Sequence, residues 1–255
     1  MRGNFSLSVS FIYSFLLVLA RVAGALIFVP VPAFRAAPDQ IRIILILAIT
    51  MALYPVWPVI PGSPSVLEYG GWLAVEVGFG LCIGLLVGCL SEVALLFGQI
   101  CGLQAGFSFA STIDPETQAD APVLSAIAQT VAGLLFVTLG LHRYIIRLFA
   151  ESLQTQPPAK LALNPRWGEV VVHAAGTLFS VGLRLALPIV GLMVMVDVTL
   201  ALLGRINAQL QLLHLAMPLK ILAALATISV LLMLFPSVYS EYANRLFRMA
   251  VAIAR

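Results

Sequence analysis

Six runs of apolar residues, at about 7–30, 41–60, 72–100, 123–141, 170–203 and 219–236, alternate with short polar breaks. Each approaches or exceeds the roughly 20 residues that cross a hydrocarbon core. The breaks hold helix stoppers: Pro30, Pro32 and Pro38 after the first run, then Asp114-Pro115, Pro157-Pro158, Asn164-Pro165 and Pro218. Pro55, Pro58, Pro61 and Pro64 crowd the end of the second run, which predicts that its helix stops near Tyr54. Lipid offers backbone groups no partner, so an open chain of this pattern must be helical. The pattern predicts an all-α fold of membrane-associated helical hairpins, with about six long apolar helices. No internal repeat or low-complexity linker interrupts residues 1–255, which read as one domain. Arg2 and the apolar stretch from Phe11 imitate a signal peptide, but Arg21 interrupts it before Ala23-Gly24-Ala25, so 7–30 reads as a retained helix.

Composition narrows the function classes. Hydrophobic residues make up 61% of the 255 and charged residues 10%, against roughly 25% charged in soluble domains. The mean hydropathy is +1.06. A soluble enzyme, a disordered regulator and a nucleic-acid binder are excluded on this basis. The net charge of +3 is mild, and no basic run of the kind that tracks phosphates is present. Cys82, Cys89 and Cys101 lie in apolar sequence with no histidine near, and read as small buried hydrophobes rather than disulfide or metal ligands.

Glycines recur every four residues at Gly80, Gly84 and Gly88, flanked at the same interval by Glu76 and Glu92, and again at Gly98, Gly102 and Gly106. On a helix such residues stack with a drift of about 40° per step. The stripes let another backbone approach closely, within the chain or across subunits. Five charges sit inside apolar runs: Arg21, Glu76, Glu92, Arg184 and Asp197. Each costs about 2.5–3.5 kcal/mol on insertion scales unless paired or wet. They read either as structural pairs that lock helices together or as a proton or ion path. The segment from Gln104 to Pro122 is small and polar around Phe107 and Phe109, with a turn at Asp114-Pro115. It reads either as an exposed loop or as a hydrophobic constriction across an aqueous path. No phosphate-binding loop, nucleophile elbow or zinc-binding histidine pair is present, and the expectation is a non-enzyme without cofactor or metal.

Several stretches, in order, resemble the FliR family of type III export-gate proteins, which includes virulence-injectisome members. They are Arg21-Val-Ala-Gly through Pro30 to Arg35, Glu76-Val-Gly-Phe-Gly-Leu-Cys-Ile-Gly84, Glu92 through Gly98, Gln104-Ala-Gly106 and Asp114-Pro115. Gly140-Leu-His142, Ser152 ahead of Pro157, Phe179 to Pro188, Gly204-Arg205, Gln209-Leu210 and Pro218-Leu-Lys220 complete a likeness over about 15–235. Ala208 and Gln211 depart from the family's usual Pro and Asn. The resemblance implies a single copy assembled with several FliP and FliQ chains into a conical helical channel, in contact with FlhB and FlhA. The whole would sit in the bacterial inner membrane at the flagellar basal body, in contact with membrane lipid and with unfolded export substrates. It also implies that much of the assembly stands above the bilayer plane, so that six spans overcount. Gly106, Phe107, Phe109, Asp114 and Pro115 would belong to a plug that seals the pore, and the glycine stripes would pack on FliP and FliQ. The rivals are an injectisome subunit, a scaffold without pore-facing residues, and a stand-alone proton-coupled small-molecule transporter using Glu76, Glu92 and Asp197.

Overall fold

The computed structural model describes residues 9–29, 38–58, 60, 64–106, 123–161, 163–206 and 212–254. Among these residues every regular element is helical. The helices are α1 (Val9–Leu26), α2 (Asp39–Ala52), α3 (Val66–Ala105), α4 (Val123–Thr138), α5 (Leu141–Thr155), α6 (Arg166–Ile206) and α7 (Leu212–Ala254), with a 3-10 turn at Tyr54–Val56. The all-α expectation holds, and each of the six apolar runs overlaps a helix. The second helix ends at Ala52, close to the predicted Tyr54, and Pro55 sits inside the 3-10 turn that follows.

Two expectations change and one is met. Among the described residues, α3, Arg166–Arg205 of α6 and Pro218–Ala254 of α7 are long and apolar enough to cross a membrane, and the bent pair α4 and α5 could make a fourth span. Six spans overcount, as the resemblance implied, and α1 and α2 are short, 18 and 14 residues. A helix was also missed: α5 buries Leu141, Ile145, Leu148, Phe149 and Leu153 while exposing Arg143, Arg147 and Glu151, so its mixed sequence stays below any hydropathy threshold. Finally, Pro218 does not start α7 but lies inside it, as Pro236 does, while Pro188 lies inside α6. Prolines of this kind are tolerated in apolar helices, where neighbouring groups satisfy the freed carbonyl.

The chain divides into two compact units, Met1–Cys89 with Phe136–Ala175 and Ala243–Arg255, and Leu90–Leu135 with Gly176–Tyr242. In the first unit, Leu17, Val18, Val22 and Ala25 of α1 are fully buried, the three- and four-residue spacing of one helix face. Ser14 Oγ donates to the Pro58 carbonyl at 2.7 Å and Ser10 Oγ to Ile60 at 2.8 Å, tying α1 to the proline-rich connection after α2. Trp57 packs on Phe11 and Phe15 at 5.3 and 5.6 Å between ring centroids. Ser65 and Glu68 cap the start of α3 reciprocally: Glu68 N–H donates to Ser65 Oγ at 3.3 Å and Ser65 N–H to Glu68 Oε2 at 3.2 Å. Gly140, with φ +69°, separates α4 from α5 in a conformation that a side chain would oppose.

In the second unit, Leu90, Ala94, Phe97 and Cys101 of α3, Ile189 and Met193 of α6 and Phe235 of α7 are all buried. Phe97 and Phe235 lie 5.8 Å apart, and Phe235 stacks on Tyr239 at 5.8 Å. Lys220 Nζ reaches Asp197 Oδ1 at 2.7 Å, joining α7 to α6.

Candidate functional site

The first unit is built around a buried arginine. Gly24 on α1 and Gly80, Gly84 and Gly88 on α3 face the opposing helix with bare backbone. A Cβ at Gly80 would fall on the Arg21 carbonyl oxygen, and one at Gly84 on the Ala25 carbonyl oxygen. One at Gly24 would lie 2.7 Å from the Val77 carbonyl oxygen, and one at Gly88 3.1 Å from that of Phe28. α1 and α3 therefore touch backbone to backbone, and the first glycine stripe already has its neighbour inside this chain. In the second unit Gly98 makes a similar approach, its Cβ position 2.5 Å from Ser125 Cα on α4. Gly102, one turn further, is buried.

That close approach lets Arg21 lie wholly inside, at 0% exposure, with Glu76 also at 0%. Arg21 Nε donates to Glu76 Oε2 at 2.6 Å. Its Nη1 donates to Ser152 Oγ and its Nη2 to the Gln156 carbonyl, both at 3.0 Å. Ser152 Oγ in turn donates to the Phe149 carbonyl at 2.9 Å. One guanidinium thus fastens three segments: α1, α3 and the C-terminal end of α5. Its plane also lies over Phe79, 4.8 Å from the ring centroid, and Phe79 meets Trp167 edge-on at 5.3 Å. A buried ion pair contributes less through net energy than through the arrangement it permits, because removing either partner strands the other. Glu76 Oε1 remains buried without a protein partner, since Arg21 Nη2 goes to Gln156 instead of completing a bidentate fork.

The other charges named from the sequence are placed differently. Glu92 is half-buried. Arg184 is exposed, and Asp197 is about half exposed and paired with Lys220, so neither belongs with the buried charges. Hydropathy averages over a whole helix and does not distinguish the packed face from the open one. Gly106, with φ +83°, ends α3 as a left-handed cap, its N–H donating to the Leu103 carbonyl at 3.2 Å. Phe107, Phe109, Asp114 and Pro115, with Ala208 and Gln211, lie outside the described residues. Cys101 is buried, whereas Cys82 and Cys89 are half-buried. Phe79 and Gln156 went unnoticed as partners of Arg21, and Trp167 as the residue that backs Phe79. The one signal was that Pro157-Pro158 ends a helix just after Ser152.

Taken together, these features define an all-α membrane protein organised on one charged node and on glycine-lined helix contacts. Its sequence places it within a known group: the profile of the bacterial export proteins, family 1, matches residues 12–246, and the chain belongs to that family. It is 28% identical over 236 residues to the flagellar biosynthetic protein FliR of Escherichia coli K12, covering 92% of this chain and 90% of that one. It is 29% identical over 238 residues to FliR of Pectobacterium carotovorum subsp. carotovorum, covering 93% and 88%. The secretion system apparatus protein SsaT of Salmonella typhimurium LT2 is 28% identical over 200 residues, 74% of each chain.

Proposed function

We propose that this chain is a subunit of the flagellar type III export gate in the bacterial inner membrane, where it helps form a channel for unfolded flagellar proteins. The family match across residues 12–246 carries this reading. Three helices of about 40 residues support it further. At about 1.5 Å per residue each is about 60 Å long, roughly twice a hydrocarbon core, and suits an assembly that rises out of the bilayer. In this reading FliP- and FliQ-type chains cover the exposed faces, FlhB and FlhA adjoin them, and the segment after Gly106 plugs the pore with Phe107 and Phe109. Gly106 and the Asp114-Pro115 turn would shape that plug.

Co-expression with the neighbouring export genes, followed by tagged purification in mild detergent and native mass spectrometry, tests the assembly. One copy of this chain with several FliP- and FliQ-type chains is expected; a lone monomer or self-dimer would overturn the proposal. Deleting 107–115 from an assembled gate should make the membrane leaky to small solutes, and unchanged permeability would remove the plug role. The likeness to SsaT keeps an injectisome gate as the second reading, and it predicts export of virulence effectors rather than flagellar subunits. A proton-coupled transporter fits less well, because Glu76 is held by Arg21 in a protein core and Asp197 by Lys220.

A further inference from the structure

One charge of the second unit has no answer among the described residues. Arg184 stands midway along α6 and is exposed, and no carboxylate of those residues pairs with it. The residues three and four positions away on its helix, Ser180, Val181, Leu187 and Pro188, supply no acid. Asp197, further along α6, is by contrast neutralised by Lys220 at 2.7 Å. Between Glu169 and Asp197, Arg184 is the sole Lys, Arg, Asp or Glu. At 1.5 Å per residue those two ends lie about 20 Å away along the helix, further than an arginine side chain can snorkel.

Around Arg184 the helix is apolar and open. Phe179, Leu183, Leu187 and Met195 are exposed. Nothing lies within 4 Å of a Cβ at Gly191, two turns beyond Arg184 on the same side of the helix. Pro188 has no N–H, so the Arg184 carbonyl lacks its i+4 donor as well. Hydrocarbon can cover the leucines but cannot answer a guanidinium. A second copy of this chain would bring no spare acid, because Glu76, Glu92 and Asp197, the carboxylates of its apolar runs, are already engaged. We propose that this face of α6 docks an apolar helix of a different chain, one that carries an Asp or Glu against Arg184 and comes closest at Gly191. The inference deepens the reading of this chain as an assembled subunit and rests on it. The ion pair would fix which helix binds and in what register, since a helix without the acid would leave Arg184 unpaired.

Charge exchange in the co-expressed, tagged full chain tests this, with the chains recovered in mild detergent quantified by mass spectrometry. Arg184→Glu sets two carboxylates against each other and should lower recovery of one partner species by about tenfold or more. Arg184→Lys should keep most of it. Purified alone, both variants should melt at the midpoint of the unaltered chain, because the residue is exposed. Replacing by Lys, one at a time, the acidic residues in that partner's apolar helices should find a position that restores recovery with Arg184→Glu and lowers it with the unaltered chain. Unchanged recovery of Arg184→Glu, or no restoring position, would overturn the proposal and leave the assembly itself standing. A photo-crosslinker at Leu187 that captures lipid or a second copy of this chain would do the same. If the unaltered chain recovers no other chain, the subunit reading falls and this proposal with it.

Discussion

Arg21 has no exposed surface, and neither has Glu76. The guanidinium donates to the Glu76 carboxylate, to Ser152 Oγ and to the Gln156 carbonyl. Arg21→Met removes the cation and leaves Glu76 charged in an apolar core, a change that typically costs about 3–5 kcal/mol. Thermal unfolding in detergent should show a large fall in the midpoint. The double variant Arg21→Met with Glu76→Leu strands no charge and should recover much of that loss. It would still lack the bonds to Ser152 and to the Gln156 carbonyl, so the end of α5 should become more susceptible to proteolysis. If the single variant unfolded like the unaltered chain, Arg21 and Glu76 would not be a pair in solution.

Between elements, the glycines sort themselves by what they face, and sequence spacing alone does not do this. Gly78 and Gly80 are two residues apart on α3, yet nothing lies within 4 Å of a Cβ at Gly78, while one at Gly80 meets the Arg21 backbone. Gly78→Ala should therefore be neutral or stabilise by up to about 1 kcal/mol, the helix propensity of alanine over glycine. Gly80→Ala should destabilise by about 1–3 kcal/mol, because overpacking must push α1 away and Arg21 with it. Denaturation of the two variants side by side checks this, and equal stability would mean that α1 and α3 do not touch there. The four-residue repeat was legible in the sequence, and so were Arg21 and Glu76 as charges needing partners. Which helix filled the stripe was not legible, because a repeat specifies a face and not its neighbour. Nor was α5, whose charged outer face conceals an apolar inner one, and with it went Ser152 and Gln156 as partners of Arg21.

Across the whole molecule, the apolar surface is far from used up by its own packing. In the most apolar window of α3, 44% of residues are buried, but the figures for α6 and α7 are only 22% and 17%. Met233 is 82% exposed, Met195 73%, Val172 73% and Phe179 64%, more bare surface than a stable soluble chain tolerates. Lipid alone does not account for it, because a helix of about 60 Å outruns a core of about 30 Å, and the excess apolar length needs another cover. Partner helices are the cover consistent with the proposed gate. Met233→Asn tests this, since an exposed site should change the chain's own stability by no more than about 0.5 kcal/mol. Recovery of the co-purified complex should nevertheless drop, because an amide in a helix contact must be desolvated without an assured partner. A fall in the chain's own melting point as large as that of Gly80→Ala would show that α7 is covered from within. Unchanged complex recovery would place Met233 against lipid and shift the partner-covered surface to the opposite face of α7.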